Sequence, residues 1–244
     1  MRWLIALMIF ITPAWAVECV DMAFDGNRFT ICEVDLTQED LRLFLNDPET
    51  GKPLGSFSNI DKQLETRGQH LSFAMNAGMY HTDRRPVGHY VENGQNTAPV
   101  ISSEGPGNFG LLPNGVFCIR EGRADVFETL RFLREKPACR DATQSGPMLV
   151  IDGQLHPRFL PDSDSRYVRN GVGTAADGKT AWFVISDAPV TFHEFGRLFR
   201  DHLKSPQALY FDGNISRLYA PMLDRYDGGF PMGPMVGVVA RLPE

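Results

Sequence analysis

The sequence predicts an α+β fold in which one large sheet, mixed or mostly antiparallel, is accompanied by few helices. Many short apolar segments are separated by turns that contain glycine, which is typical of strands, and only two segments have the spacing of a helix. No internal repeat, low-complexity tract or long linker interrupts residues 17–244. Because this length lies within the range of one large domain, we predict a single domain over residues 17–244.

Seven apolar segments are predicted as strands. In chain order they are residues 41–45, 71–75, 115–120, 124–128, 148–151, 181–185 and 208–211. Residues 59–67 predict a short helix that Gly68 stops. Residues 191–203 predict a second helix, because their apolar residues recur on one helical face and Thr191 and Glu194 occupy the positions of a capping box.

Residues 1–16 have the pattern of a secretory signal peptide. Arg2 supplies the positive start, residues 3–11 the apolar run, and Ala14-Trp15-Ala16 the small-x-small cleavage pattern. The run is too short to span a bilayer, which needs about 20 apolar residues. We therefore expect an exported protein, periplasmic or secreted, that is not inserted in a membrane after the signal is removed.

Four cysteines fit an oxidising compartment, and their spacing resembles no zinc motif. Three pairings are open, and free buried thiols are the alternative. We favour Cys19–Cys32 and Cys118–Cys139, because each bond closes a loop between strand-like segments and stabilises by about 3 kcal/mol in the loop-entropy model.

The formal net charge of −6 becomes −7 once Arg2 leaves with the signal, since 23 basic residues then face 30 acidic ones. This balance argues against nucleic acid as a partner. Positive charge for an anionic ligand must then come from individually placed arginines. The histidines show no metal-ligand spacing, and we expect neither a metal nor a cofactor.

Four segments combine the end of an apolar strand with small and polar residues, where backbones approach ligands closely. They are residues 76–80, 143–147, 168–173 and 212–216. Asp212 is the strongest chemical candidate, because it lies between an apolar strand and a glycine, at the end of a rigid sheet. The alternative is an aspartate that only anchors a turn.

The order and content of these segments resemble the phosphodiester glycosidase family, and more specifically its smaller bacterial branch of exported proteins. The resemblance extends from about Leu41 to Val239. It also includes Pro86-Val87-Gly88, Asn108-Phe109 and Pro113-Asn114-Gly115-Val116-Phe117. Asn214 and Ile215 stand where the broader family usually has glycines, and their larger side chains narrow that part of a site.

The resemblance implies a hydrolase that cleaves the glycosidic C–O bond of a sugar-1-phosphodiester. Asp212 is then expected to act as nucleophile or base, because glycoside cleavage needs a carboxylate. Arg169 is predicted to pair bidentately with the phosphate, with a surface or structural salt bridge as the alternative. Asp187, which follows a strand, is the candidate for a second acid or base.

Polar residues and glycines of the same segments complete the predicted site. The asparagines are expected to orient sugar hydroxyls or phosphate oxygens, although asparagine beside glycine is also common in plain turns. The serines are expected to donate to phosphate, and the glycines to let the backbone approach the ligand. The predicted substrate-binding residues are Asn76, Gly78, Ser145, Gly146, Asn170, Gly213 and Ser216.

Two other functions stay open at this point. A carbohydrate or cell-envelope binding protein without catalysis would use the same cleft, and the replaced glycines favour it. A phosphodiesterase would cut the P–O bond instead, and a metal requirement would then be expected.

Overall fold

The computed structural model describes residues 17–212 and 215–242. The predicted signal peptide and Gly213 lie outside these ranges. Within them, no helix combines the length and the apolar character that crossing a membrane requires.

Seventeen strands, three α-helices and two short helical turns are present in the described ranges. The strands are β1 (Glu18–Phe24), β2 (Asn27–Asp35), β3 (Asp40–Phe44), β4 (Gln69–Asn76), β5 (Tyr90–Glu92), β6 (Gln95–Ala98), β7 (Gly115–Arg120), β8 (Arg123–Glu128), β9 (Asp141–Ser145), β10 (Met148–Ile151), β11 (Gln154–Leu155), β12 (Asn170–Thr174), β13 (Thr180–Ser186), β14 (Gln207–Tyr210), β15 (Leu218–Ala220), β16 (Arg225–Tyr226) and β17 (Met235–Arg241). The helices are α1 (Phe57–Glu65), α2 (Thr129–Glu135) and α3 (Phe192–Arg197). A π-helical turn, Leu198–His202, continues α3, and a 3-10 turn spans Pro221–Leu223.

The strands form three sheets. Sheet A has the order β1-β2-β13-β12-β14-β10-β11, sheet B the order β16-β15-β4-β17-β3, and sheet C the order β6-β5-β9-β7-β8. Neighbouring strands of the described chain pair antiparallel throughout. The α+β class is thus confirmed, with the strands divided among three antiparallel sheets instead of gathered in one.

The three sheets meet around a shared aromatic core. Phe73 comes from sheet B, Phe117 from sheet C and Phe183 from sheet A, and all three are fully buried. The ring centroid of Phe183 lies 5.0 Å from that of Phe73 and 5.8 Å from that of Phe117. Such aromatic contacts bury large apolar areas, so this cluster holds the three sheets together.

Each helix covers the outer face of one sheet. On sheet B, Ile60 of α1 lies in the apolar cluster that contains Leu71. On sheet C, the ring centroid of Phe132 of α2 lies 6.0 Å from that of Phe127. On sheet A, Phe195 of α3 is fully buried against the strands. The helices therefore shield from solvent the sheet faces that point away from the shared core.

Local signals fix where the two predicted helices begin. Ser56 caps α1, since its side chain accepts a hydrogen bond from Asn59 N at 3.2 Å. The predicted capping box of Thr191 and Glu194 is present at the start of α3, with Glu194 N donating to Thr191 Oγ1 at 3.1 Å. Both helices are shifted or shortened relative to the prediction, and α2 was not predicted.

Both favoured disulfides are present. Cys19–Cys32 joins residues directly opposite each other in the β1–β2 ladder, and Cys118–Cys139 ties β7 to the segment that follows α2. No free cysteine remains in the described part of the chain.

Candidate active site

Three strand ends meet where sheets A and B adjoin. Asn170 is the first residue of β12 and Asn76 the last residue of β4, while Asp212 lies two residues beyond β14. Since β12 and β14 are antiparallel neighbours, Phe211 N donates to Asn170 O at 3.1 Å. The structure thereby brings together three residues that the sequence predicts for the site: Asn76, Asn170 and Asp212.

The two asparagine amides form the centre of this junction. Asn170 Nδ2 donates to both Asn76 O and Asn76 Oδ1 at 3.0 Å, and Asn170 Oδ1 accepts from Asp212 N at 3.2 Å. Asn76 Oδ1 also accepts from Arg217 N at 2.8 Å, and Asn76 Nδ2 donates to Ile215 O at 2.6 Å. Both side chains are buried, and these bonds hold the backbone on either side of Asp212.

The two predicted serines also contact the backbone around Asp212. Ser216 Oγ lies 3.0 Å from Val168 O and 3.1 Å from Asp212 O. Ser145 Oγ, at the end of β9 in sheet C, donates to Phe211 O. All three sheets therefore contribute a residue to the support of this carboxylate.

Two of the predicted glycines lie where protein segments approach each other. A Cβ at Gly78 would lie 2.3 Å from Thr143 Oγ1, and a Cβ at Gly146 would lie 2.6 Å from Asn114 Cβ. In this structure the close approach at both positions is to other parts of the protein.

The Asp212 carboxylate lies among tyrosine hydroxyls. Asp212 is 9% exposed. Burial, reinforced by the Asp212 charge, raises the pKa of Tyr80. Burial also raises the pKa of Tyr210, with Asp212 adding to the rise and Arg169 opposing it. Both phenols are therefore neutral at physiological pH, and the Tyr80 hydroxyl has no hydrogen-bond partner within the described ranges, whereas the Tyr210 hydroxyl faces the Arg169 guanidinium.

Arg169 lies behind Tyr210 and is fully buried. Nε donates to Val190 O at 2.8 Å and Nη2 donates to Ser165 O at 2.9 Å. The guanidinium carbon lies 3.6 Å from the ring centroid of Phe192 and 5.5 Å from that of Tyr210. Because Nε and Nη2 both donate to backbone carbonyls, they are not free in this arrangement for the predicted bidentate contact with phosphate.

A second arginine, Arg217, lies on the more open side of the site. Its Nη1 donates to Phe230 O at 2.6 Å, and its positive charge opposes the rise of the Tyr80 pKa. A Cβ at Gly229 would lie 2.4 Å from Arg217 Nη2, and a Cβ at Gly233 would lie 2.4 Å from the Tyr80 ring. These two glycines thus leave space for the side chains of Arg217 and Tyr80.

Asp187 lies at the same end of sheet A as Asp212 but on a different strand. Two strand spacings separate β13 from β14, which places their backbones roughly 10 Å apart. The Asp187 carboxylate lies 3.1 Å from Arg225 Nη1 and 3.7 Å from Arg28 Nε. The structure therefore places Asp187 in a neighbouring arginine network.

Three residues at this site were not predicted from the sequence: Tyr80, Tyr210 and Arg217. Each lies within a few residues of a segment that was singled out, since Tyr80 ends the Asn76 segment and Tyr210 precedes Asp212 by two positions. Position in the chain was thus the available signal, but no motif marks these side chains.

The residues around Asp212 do not form a metal site of the usual kind. No group of three or more His, Cys, Asp or Glu side chains able to hold a metal is found in residues 17–212 and 215–242. One carboxylate near two tyrosines, each with an arginine close by, is suited to a polar ligand that carries both hydroxyls and negative charge.

Comparison with known proteins identifies relatives of the whole fold. The chain is 31% identical to the uncharacterized protein YigE of Escherichia coli strain K12 over 216 residues, which cover 88% of this chain and 84% of that protein. Its fold is similar to the catalytic domain of zebrafish N-acetylglucosamine-1-phosphodiester alpha-N-acetylglucosaminidase, with a TM-score of 0.60, 12% identity and coverage of 91% of this chain and 81% of that one.

A hypothetical protein from Synechocystis has a similar fold as well, with a TM-score of 0.57, 12% identity and coverage of 91% of this chain and 61% of that one. Residues 69–237 match the phosphodiester glycosidase family, and this range contains Asn76, Asn170 and Asp212. The chain belongs to the phosphodiester glycosidase family.

Proposed function

We propose that this protein is a hydrolase that cleaves the glycosidic C–O bond of a sugar-1-phosphodiester at Asp212. Family membership supports the reaction class, and the zebrafish relative is named for a sugar-1-phosphodiester substrate. The observation that carries the proposal is the junction of three sheets that holds one carboxylate beside two neutral tyrosine hydroxyls.

The Tyr80 hydroxyl supports the presence of a ligand, because it is buried and has no hydrogen-bond partner among the described residues. A buried donor without a partner costs about 1–3 kcal/mol, and such groups in native structures call for an explanation. A ligand oxygen that accepts from this hydroxyl removes that cost. Its position near Asp212 therefore supports a site for an oxygen-rich substrate.

The chemistry requires one bond to break at the anomeric carbon. The C–O bond to the phosphodiester oxygen cleaves, and its electron pair leaves with that oxygen as a phosphomonoester. Asp212 either attacks the anomeric carbon or accepts a proton from the attacking water, and water supplies the new hydroxyl of the sugar. Because a phosphate group is a weakly basic leaving group, hydrogen-bond donors and positive charge suffice to stabilise its departure.

We assign roles to the residues around Asp212 according to how exposed each one is to solvent. Arg217 and Tyr80, on the more open side, contact the phosphate group. Arg169 acts from behind Tyr210, where its charge favours an electron-rich ligand oxygen at that hydroxyl. Asn76, Asn170, Ser145 and Ser216 position the Asp212 backbone, and Asp187 stays the candidate for a second acid or base.

Replacing Asp212 by asparagine tests this proposal. With purified protein and a p-nitrophenyl sugar-1-phosphodiester series, we expect kcat to fall by about 10³-fold or more, or roughly 4 kcal/mol of barrier. Asp152→Asn is the matched control, because the Asp152 side chain is 61% exposed and pairs with Arg131 at the surface. Full activity in Asp212→Asn would show that the carboxylate has no catalytic role.

Hydrolysis in ¹⁸O-labelled water separates the candidate reactions. Label in the sugar supports C–O cleavage, whereas label in the phosphate assigns a phosphodiesterase and removes the proposal. Binding without turnover across the substrate series assigns a carbohydrate-binding protein instead.

We also propose an extracytoplasmic location, periplasmic or secreted. The two disulfides support it, because such bonds persist in oxidising compartments. Cell fractionation followed by N-terminal sequencing tests it, and the expected mature product begins near Val17.

A further inference from the structure

A groove opens beside the loop that contributes Tyr80. Three segments form its walls, namely residues 45–51, 81–87 and 90–99, and its volume is about 820 Å³. This volume falls within the range of ligand pockets, roughly 300–1,000 Å³. We refer to this space as the hairpin groove, because the β5–β6 hairpin forms one complete wall.

The hairpin groove and the Asp212 site share one structural element. Val87 N donates to Met79 O at 2.9 Å and Tyr80 forms an isolated bridge with Pro86, so residues 79–87 make a small hairpin of their own. Within it Tyr80 lies close enough to Asp212 for the carboxylate to raise its pKa. Pro86 and Val87 line the groove, which therefore begins beside the residue that contacts the site.

The wall of the hairpin groove carries polar side chains that form no hydrogen bond with another residue of the described ranges. Asn46, Asn93, Gln95 and Thr97 line it, and none of their side chains bonds to another residue of ranges 17–212 and 215–242. Gln95 and Thr97 of β6 both line the groove, whereas Asn96 between them lines a different space. Amides and hydroxyls both donate and accept, as the hydroxyls of a sugar do.

Apolar surface lies between these polar groups. Pro48, Pro86 and Pro99, with Val87, line the same space. A sugar ring presents hydroxyls at its edge and C–H groups on its faces, so alternating amide and proline surface complements it. Ligand pockets in general combine apolar walls with a few fixed polar groups.

The charge of the hairpin groove is close to balanced. Arg85 pairs with Asp83 at 2.6 Å, and Asp47 accepts from Thr50 N at 2.7 Å. On the floor, the Tyr90 hydroxyl donates to Glu92 Oε2 at 2.7 Å, and burial raises the pKa of Glu92 to about 7. An excess of positive charge, which a polyanion needs, is therefore absent from the described lining.

We propose that the hairpin groove binds neutral sugar residues that extend from the sugar-1-phosphodiester held at Asp212, so that the substrate is an oligosaccharide. The connection to the scissile bond rests on the proposed function, whereas binding of a neutral oligosaccharide by the groove does not.

Calorimetric titration of the whole protein with chitotetraose, cellotetraose and maltotetraose tests the inference. We expect at least one tetrasaccharide to bind with a Kd at least tenfold below that of its monosaccharide. The double variant Gln95→Ala/Thr97→Ala is expected to raise this Kd at least tenfold. Asn96→Ala is the matched control, because Asn96 is exposed and lines a different space, and we expect the Kd of this variant to stay within twofold.

Three outcomes would overturn the inference: no tetrasaccharide binds, the double variant binds as the unaltered protein does, or only a sulfated oligosaccharide binds. Circular dichroism checks that both variants are folded. Asp212→Asn separates the two proposals, since it is expected to lose turnover and keep the tetrasaccharide Kd. A protein that binds tetrasaccharide and hydrolyses no phosphodiester refutes only the proposed function.

Discussion

The free energy of unfolding is expected to depend on pH through the Glu92 carboxyl on the floor of the hairpin groove. One substitution at this residue is expected to remove that dependence. Its pKa is raised from 4.5 to about 7, chiefly by burial, with the charge of Asp141 adding to the rise and the Tyr90 hydroxyl opposing it. The folded protein therefore keeps this proton up to about pH 7, whereas the unfolded chain releases it near pH 4.5. Between these values the folded state binds more protons, so stability falls as pH rises.

The size of this effect follows from the two pKa values. Each unit of difference corresponds to 1.36 kcal/mol, and integration between pH 5 and pH 8 gives a loss of about 2 to 3 kcal/mol from Glu92 alone. Glutamine has nearly the same shape, is always neutral, and can still accept the Tyr90 hydrogen bond. The unaltered protein is therefore expected to lose about 2 to 3 kcal/mol of unfolding free energy between pH 5 and pH 8 that Glu92→Gln does not lose. The difference in unfolding free energy between the two proteins changes by this amount in favour of the variant.

Urea unfolding followed by tryptophan fluorescence at pH 5, 6, 7 and 8 measures this difference. Glu104→Gln is the matched control, because Glu104 is exposed and a solvated carboxylate is expected to change stability by less than about 0.5 kcal/mol. If the difference between Glu92→Gln and the unaltered protein is the same at pH 5 and pH 8, burial does not raise this pKa and the reasoning fails.

Two further substitutions test the support of the candidate site. Asn170→Ala removes the hydrogen bonds to Asn76 and to Asp212 N. We expect the free energy of unfolding, measured in urea, to fall by about 2–3 kcal/mol, and kcat to fall 10-fold or more. An unchanged kcat would contradict the positioning role. Arg169→Lys loses the planar contact with Phe192, and we expect the free energy of unfolding, measured by thermal denaturation, to fall by about 2–4 kcal/mol. For the surface control Arg166→Lys we expect a fall of under about 0.5 kcal/mol. Equal losses in the two variants would contradict the reasoning.

Strands rich in apolar residues were the part of the fold that local sequence could predict. Residues 115–120 and 148–151 are continuous apolar runs, and β7 and β10 coincide with them. β12 was missed because Gly171 and Gly173 lower its strand propensity. Both glycines are required by packing, since a Cβ there would lie 2.5 Å from Leu209 O and 2.7 Å from the Phe199 ring, respectively.

Two hairpins were missed although the sequence carries a signal for them. Asp25-Gly26 joins β1 to β2 and Asn93-Gly94 joins β5 to β6, and all four residues have positive φ. Asp-Gly and Asn-Gly favour the two-residue turns that match the twist of antiparallel strands. One strand of each hairpin, β1 or β6, is mostly exposed, so a search for buried apolar segments does not find the pair.

The candidate site was predictable only in part. Asp212, Asn76 and Asn170 follow from small and polar residues at strand ends, and the structure brings them together. The approach of Tyr80 to Asp212 depends on how sheets A and B dock, and the contact of Arg169 with Tyr210 depends on the pairing of β12 with β14. No local pattern encodes such a contact, and the buried position of Arg169 was missed for this reason.

The residues that support Asp212 come from three different sheets, and this affects when activity can appear during folding. Ser145, Asn76 and Asn170 come from sheets C, B and A, so the backbone that carries Asp212 has no fixed position until the last sheet has docked. A nascent or partly assembled molecule is therefore expected to be inert. Turnover, once detected, reports that the entire polypeptide has reached its final packing.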